Sequence, residues 1–423
     1  MVDSSFKLKK TDYLSLSLLF ILSFFLFADQ NLMGPNLTQI ANEFGFTAIE
    51  RDVKLGGEIS LVFWLIGGFV TLFFGYFTDL VSRKKLLIVS ILIGEIPCFL
   101  TGFVQTYEQF FWLRALTGIG IGAIIPITYS LLADYFPANM RSSATGYLGL
   151  VVGLGIGGGQ LLAGITGPEY GWKVCFIIVA IPNFIFLLLY ALFGTEPPRG
   201  KSDGNVSTIT KIDFEIIKKL ISKKTNILVF LQGIAGTVPW AVFFVYLTDY
   251  LAQDIGYSVQ VASLVVFVIG LSAMIGGFVG GLIGNKLYNI NPVYQPLLSA
   301  VCTFIGMVPT AFLINLNPIS GDNPSMVYPL TLGVFSGFFI TVTAPNMKAV
   351  LMNVNHPNTR GMAFSIYNLA DDLGRGFGPF IISFFILQFG RQWGFNLANG
   401  IWFFCGIFIL LIMKTYSKDQ ELL

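Results

Sequence analysis

The sequence predicts an all-α polytopic membrane protein with twelve transmembrane helices in two pseudo-symmetric six-helix halves. Three observations carry this. First, 54% of the 423 residues are hydrophobic and only 11% are charged, against about 25% charged in a soluble protein. Second, the chain divides into twelve apolar runs of roughly the 20 residues that a helix needs to cross a bilayer. Third, the second half repeats residues of the first at a constant offset of 219.

The first run, 13–35, follows Lys7, Lys9 and Lys10 and has no small-residue cleavage site after it. It reads as a retained span, not a signal peptide. Spans 2 to 6 lie at about 55–77, 86–105, 110–133, 142–163 and 172–193. Spans 7 to 12 lie at about 227–250, 260–284, 294–315, 327–348, 362–387 and 396–413. No segment alternates like a barrel strand. The organisation expected is a first half 1–193, a linker 194–226 and a second half 227–423.

Orientation follows from lysine and arginine. Arg83, Lys84, Lys85, Arg141, Arg360 and the lysines of the linker fall on the side of the N-terminus. The other side holds only Arg51, Lys54, Lys173 and Arg391. Both termini are therefore expected in the cytoplasm, at the inner membrane of the cell.

In the linker, Thr195-Glu-Pro-Pro-Arg-Gly breaks the helix. Ile212, Ile216, Ile217, Leu220 and Ile221 then recur at helical spacing among Lys218, Lys219, Lys223 and Lys224. This reads as a cationic amphipathic helix on the inner membrane surface. A partner-binding linker is the alternative.

The repeat is densest in spans 4–5 and 10–11. Gly118 matches Gly337, Pro126 matches Pro345, Asp134 corresponds to Asn353, and Arg141 to Arg360. Gly155, Gly157 and Gly159 match Gly374, Gly376 and Gly378. Between spans 2 and 3 stands Gly75-x-x-x-Asp79-x-x-Ser82-Arg83-Lys84-Lys85, echoed weakly by Gly281-x-x-x-Asn285-Lys286. Gly75 would let backbones approach closely and Asp79 would pair at a helix end. A plain positive-inside loop would explain the basic residues but not that glycine and aspartate.

This loop resembles the signature of the major facilitator superfamily of secondary transporters. The resemblance implies a substrate site between the halves near the midplane. It also implies a gate in which Asp79 meets the N-terminal end of span 11, near Arg360, and Arg83 reaches Asp134. Asp29, Arg114-Ala-Leu-Thr-Gly118-Ile-Gly120 and Ala133-Asp134-Tyr-Phe-Pro137 through Arg141 resemble the Spinster-like branch. Members of that branch move lysophospholipids or sphingoid phosphates. The chain departs from it at Gln30, where the branch has arginine, and at Ile121, where the branch has glutamate. Organic-anion transporters of the superfamily share the span 1 aspartate and the basic span 4 residue. Antiporters carry a Gly-Pro motif in span 5, which Gly157-Gly158 does not match.

Charges inside the membrane cost roughly 2.5–3.5 kcal/mol each on insertion scales and so call for a reason. At 1.5 Å per residue, Asp29 and Arg114 both lie roughly 24 Å above the inner surface. They are expected to pair facing the cavity; the alternative has Arg114 snorkelling and Asp29 capping a helix end. Asp371 and Arg375 are spaced to pair at i,i+4. That leaves Asp372 without a local partner, which suits proton binding; a structural network is the alternative. Glu95 lies near the midplane of span 3 with an open role.

Cys98, Cys175, Cys302 and Cys405 all fall inside apolar runs, without disulfide or metal-ligand spacing, and His356 is the only histidine. No cofactor, metal or nucleic-acid partner is expected, and the chain is expected to be a monomer among membrane lipids. With no nucleotide loop and no Ser/His/Asp set, the chain is not expected to be an enzyme. The expected function is proton-coupled transport of a small amphiphilic or organic anion by alternating access. Arg114 would face the anion, Asp29, Asp371 and Asp372 would carry or gate protons, and Phe and Tyr of spans 1, 7 and 10 would line the apolar part. The alternatives are a Spinster-like lysophospholipid or sphingolipid transporter, and a non-transporting receptor or scaffold.

Overall fold

The computed structural model describes residues 9–198, 214–319, 325–356 and 359–421. Ten side chains within these ranges lie outside the description, among them those of Asp79 and Ile216. Twelve long helices, unbroken except for α10, make the bundle. They are α1 (Lys10–Asp29), α2 (Ile59–Leu80), α3 (Arg83–Thr101), α4 (Tyr107–Tyr135), α5 (Ala138–Tyr170) and α6 (Trp172–Phe193). The second half has α7 (Lys224–Tyr250), α8 (Val259–Ile290), α9 (Tyr294–Ile314), α10 (Val327–Thr341, resumed as Thr343–Asn353), α11 (Arg360–Phe389) and α12 (Arg391–Glu421).

Ten of these columns are long and apolar enough to cross a membrane. The other two are α3 and α11, whose charges lower their hydropathy. Both pack lengthwise against other columns of the bundle nonetheless. Helix α3 lies along α4 and α6, and α11 lies along α7 and α2.

Local chemistry sets the ends. The Ser82 hydroxyl caps α3 and the Ser258 hydroxyl caps α8, accepting from the N–H groups of Lys85 and Val261. Gly171 and Gly390, again 219 apart, take φ values of 90° and 84° at the tight joints α5–α6 and α11–α12. That conformation favours glycine.

Glycines also set the helix spacing. A Cβ on Gly122 would stand 2.1 Å from the Gly67 carbonyl oxygen of α2, and one on Gly276 of α8 would stand 2.0 Å from that of Phe338 in α10. Backbone therefore packs on backbone in corresponding places of both halves. Gly75 differs from its expectation: the nearest atom to a Cβ there is Pro126 Cβ at 4.0 Å, which is no close approach.

The linker helix is found at Phe214–Ser222, and Ile212 lies outside the described residues. Its docking differs from the expectation. Leu220 is 2% exposed, packed into the second half's core, and the Asn226 amide donates to the Leu220 carbonyl. Ile221 stays exposed. Part of the apolar face is thus spent on protein rather than on the membrane surface.

The described polar bonds between the halves gather at the Arg391 end of the bundle. Arg391 of α12 pairs with Asp52, in the helical stretch Arg51–Glu58 that leads into α2, as well as with Asp249 and Asp254 of its own half. Arg51 adds Asp249 at 3.6 Å. The Tyr246 hydroxyl donates to the Asp52 carbonyl at 2.8 Å.

Candidate substrate cavity

A cavity of about 540 Å³ lies between the halves. Its first-half wall is apolar and aromatic: Phe27, Phe63, Trp64, Ile121, Ile125 and Tyr129. Its second-half wall carries the polar groups: Lys348, Asn368, Asp371, Asp372 and Arg375. Aromatic lining comes from α1, α2, α4 and α11. The expected contribution from spans 7 and 10 is not found, and α10 supplies Lys348 instead.

Helix α11 presents its charges differently from the i,i+4 expectation. Arg375 Nη1 donates to Asp372 Oδ1 at 3.3 Å, an i,i+3 pair. The guanidinium also lies 4.9 Å from the centre of the Trp64 ring across the cavity. Asp371 is turned toward α7, where Gly233 leaves room for it: a Cβ there would meet Asp371 Oδ1 at 2.7 Å. That oxygen is buried and accepts no hydrogen bond. The carboxylate without a partner is therefore Asp371, not Asp372, because rotamers and neighbours, beyond spacing alone, decide which residue meets Arg375.

Lys348 was not singled out by the sequence, because it falls on the edge of span 10. Its ammonium opens onto the cavity and makes no hydrogen bond or ion pair among the described residues. The offset of 219 places it opposite Tyr129, which lines the other wall. That correspondence was the available signal.

Asp29 and Arg114 are brought together. Arg114 Nη1 donates to Asp29 Oδ1 at 2.9 Å, Nη2 to Asp29 Oδ2 at 3.3 Å and to Thr117 at 2.9 Å. The guanidinium lies over the Phe176 ring of α6 at 4.8 Å. Asp29 is 0% exposed and Arg114 2% exposed. The expectation of a cavity-facing pair is corrected: the pair points into the first half and neither residue lines the cavity. Snorkelling is excluded by the same burial. Glu95 joins this interior, its Oε1 accepting from Asn183 Nδ2 at 2.5 Å.

The signature loop is tied to the first half and to the start of the linker. Arg83 pairs with Asp134, donates to Glu196 Oε1 at 3.1 Å and to the Pro197 carbonyl at 2.7 Å. Glu196 also accepts from the Ser82 hydroxyl at 2.6 Å and from the N–H groups of Arg83 and Lys84 at 3.0 and 3.2 Å. Burial pushes its carboxyl up, but these hydrogen bonds outweigh that and hold it below the usual carboxylate range. Lys84 Nζ donates to the Gly194 carbonyl at 2.8 Å. Arg141 closes the end of α4 on the Ala133 carbonyl at 2.7 Å, and Arg360 closes α10 on that of Met352 at 2.9 Å. Both satisfy the orphan carbonyls of a helix C-terminus. The contact expected of Asp79 falls on a side chain outside the described residues.

Glu196, Asp52, Asp249 and Asp254 were missed by the sequence reading as members of ion networks. Apart from Arg51 beside Asp52, their partners are far away in sequence, and only the fold joins them.

The profile of the Major Facilitator Superfamily matches residues 19–328. The chain belongs to this superfamily. Its members are transporters rather than enzymes, so this is an integral membrane transporter of small molecules. It is 25% identical to the cis,cis-muconate transport protein of Acinetobacter baylyi, over 93% of this chain and 92% of that one. It is 21% identical to a probable galactarate/D-glucarate transporter of Escherichia coli, over 98% and 96%. In fold it is similar to a bacterial homologue of the human lysosomal transporter Spinster, in an inward-facing and unoccupied conformation. The TM-score there is 0.86 at 18% identity, covering 98% of this chain and 99% of that one.

Proposed function

We propose that this superfamily transporter is a secondary active carrier of a small amphiphilic organic anion, coupled to protons. The observation that carries the reading is the division of the cavity into an aromatic wall and a charged one. An apolar body fits against Phe27, Phe63 and Trp64, while Lys348 and Arg375 offer the positive charge. The relatives that carry muconate and glucarate support an anion. Residues 1–193 and 227–423 would be the moving halves, joined by 194–226, with both termini in the cytoplasm. The ion cluster at Arg391 would close the outer side. Asp371 and Asp372 remain the proton candidates; Asp29 and Arg114 become supports of the first half.

The second reading, a lysophospholipid carrier, draws on the Spinster-like motif residues and the fold similarity. Ile121 weighs against it, since it places an apolar side chain in the cavity wall where that branch has an acid. Uptake into proteoliposomes under an imposed pH gradient tests both. Benzoate, cis,cis-muconate, glucarate and a lysophospholipid are compared. Accumulation of an organic anion that collapses with the gradient supports the first reading. Accumulation of the lysophospholipid alone overturns it.

A further inference from the structure

Four charges share the second-half wall of the cavity. Arg375 is matched by Asp372 at 3.3 Å. The remaining two, Lys348 of α10 and Asp371 of α11, line the same cavity and form no ion pair with each other among the described residues. Asp371 is faced by Arg375, Asp372 and Tyr367 on its own helix, by Lys348 from α10, by Cys405 from α12, and by Gly233 and Thr237 from α7. From α2, Gly68 and Trp64 face Asp372 and Arg375. Lys348 is thus the only cation near Asp371 that no carboxylate holds, among the described residues.

Charge balance then makes the two groups a switch. With Asp371 ionised, the wall is neutral and Lys348 has a counter-charge. With a proton on Asp371, Lys348 is uncompensated at the cavity wall, and a ligand carboxylate restores the balance. We propose that Lys348 docks the carboxylate of the substrate and that Asp371 takes up one proton as it binds. The substrate class that fits is a monoanionic carboxylate with an apolar body. A dianion would leave one charge unmatched. This rests on the organic-anion reading above and adds to it the docking residue, the proton site and the stoichiometry.

The test is calorimetric titration of the purified full-length protein in nanodiscs, with benzoate as the probe and buffers of different ionisation heat. The wild-type protein should take up about one proton per benzoate, with affinity falling about tenfold per pH unit above the titration of Asp371. Asp371→Asn should bind benzoate with no proton uptake and no pH dependence, and Asp371→Glu should restore both. Lys348→Gln should weaken binding at least tenfold, with recovery in Lys348→Arg. Proton uptake that persists in Asp371→Asn, or Lys348→Gln that binds as wild type does, overturns the proposal. So does a wild type that binds glucarate but not benzoate, although the organic-anion reading then stands. If no anion binds, both fall.

Discussion

Arg391 Nε donates to Asp52 Oδ2 at 2.9 Å across the seam between the halves, and its Nη2 reaches Asp52 Oδ1 at 2.5 Å. The two residues stand 339 positions apart and are both buried. Removing one partner of such a pair costs about 3–5 kcal/mol, since the other charge is left buried alone. Here Arg391→Ala leaves Asp52 and Asp249 to share Arg51 as their one remaining described cation, so the loss should fall toward the lower end of that range. We expect a lower melting temperature and a seam that opens at this end. A cysteine placed at Phe63 should react faster with a membrane-impermeant thiol reagent added outside. An unchanged labelling rate would show that the cluster does not hold the seam.

The Asp29–Arg114 pair should behave as scaffold. Each neutralised singly should destabilise by about 3–5 kcal/mol, and the double neutral variant by less than the sum. Because neither residue lines the cavity, the folded double variant should keep the substrate affinity of the wild type. A double-mutant cycle of thermal stability, read beside binding, decides this. Normal stability with lost binding would return the pair to the cavity.

Glu196 links the loop to pH. Its carboxyl is held low in the folded protein, so its contribution is present above the carboxylate value of the unfolded chain. That contribution is lost as pH falls through the folded value. Melting temperature should therefore fall on the acid side, and Glu196→Gln should flatten that slope while lowering stability near neutrality. Parallel curves for the two proteins would mean that Glu196 does not carry the linkage.

The glycines should separate by contact. Gly122→Ala puts a methyl 2.1 Å from a carbonyl oxygen of α2 and should destabilise strongly. Gly75→Ala meets nothing nearer than 4.0 Å and should be tolerated, gaining up to about 1 kcal/mol from helix propensity. Expression and thermal stability of the two variants check the contrast. A severe loss in Gly75→Ala would mean that another conformation presses on this position.

Much of the fold was legible because hydropathy and a repeat are properties of the chain itself. Depth was legible too: Asp29 and Arg114 were placed at one level and they meet. What depth does not give is azimuth, and both turned away from the cavity. Spacing likewise allowed Asp371 to reach Arg375, while the room beside Gly233 drew it elsewhere. Lys348 looked like the end of a span until α10 set it against α11. The seam cluster was invisible because nothing local to Asp52 points at Arg391.

The charged contacts at the two ends of the bundle are of different kinds. At the Arg391 end they cross from half to half; at the other, the described ties of Arg83, Arg141 and Arg360 run within a half or to the start of the linker. For a carrier that alternates, leaving the orientation seen here while empty means breaking the cross-half cluster at Arg391. The unloaded protein would dwell in the orientation that keeps the cross-half cluster, and its return to the other would be the slow leg of the cycle. A loaded return avoids that leg. Counterflow of labelled against unlabelled substrate should then run faster than net uptake.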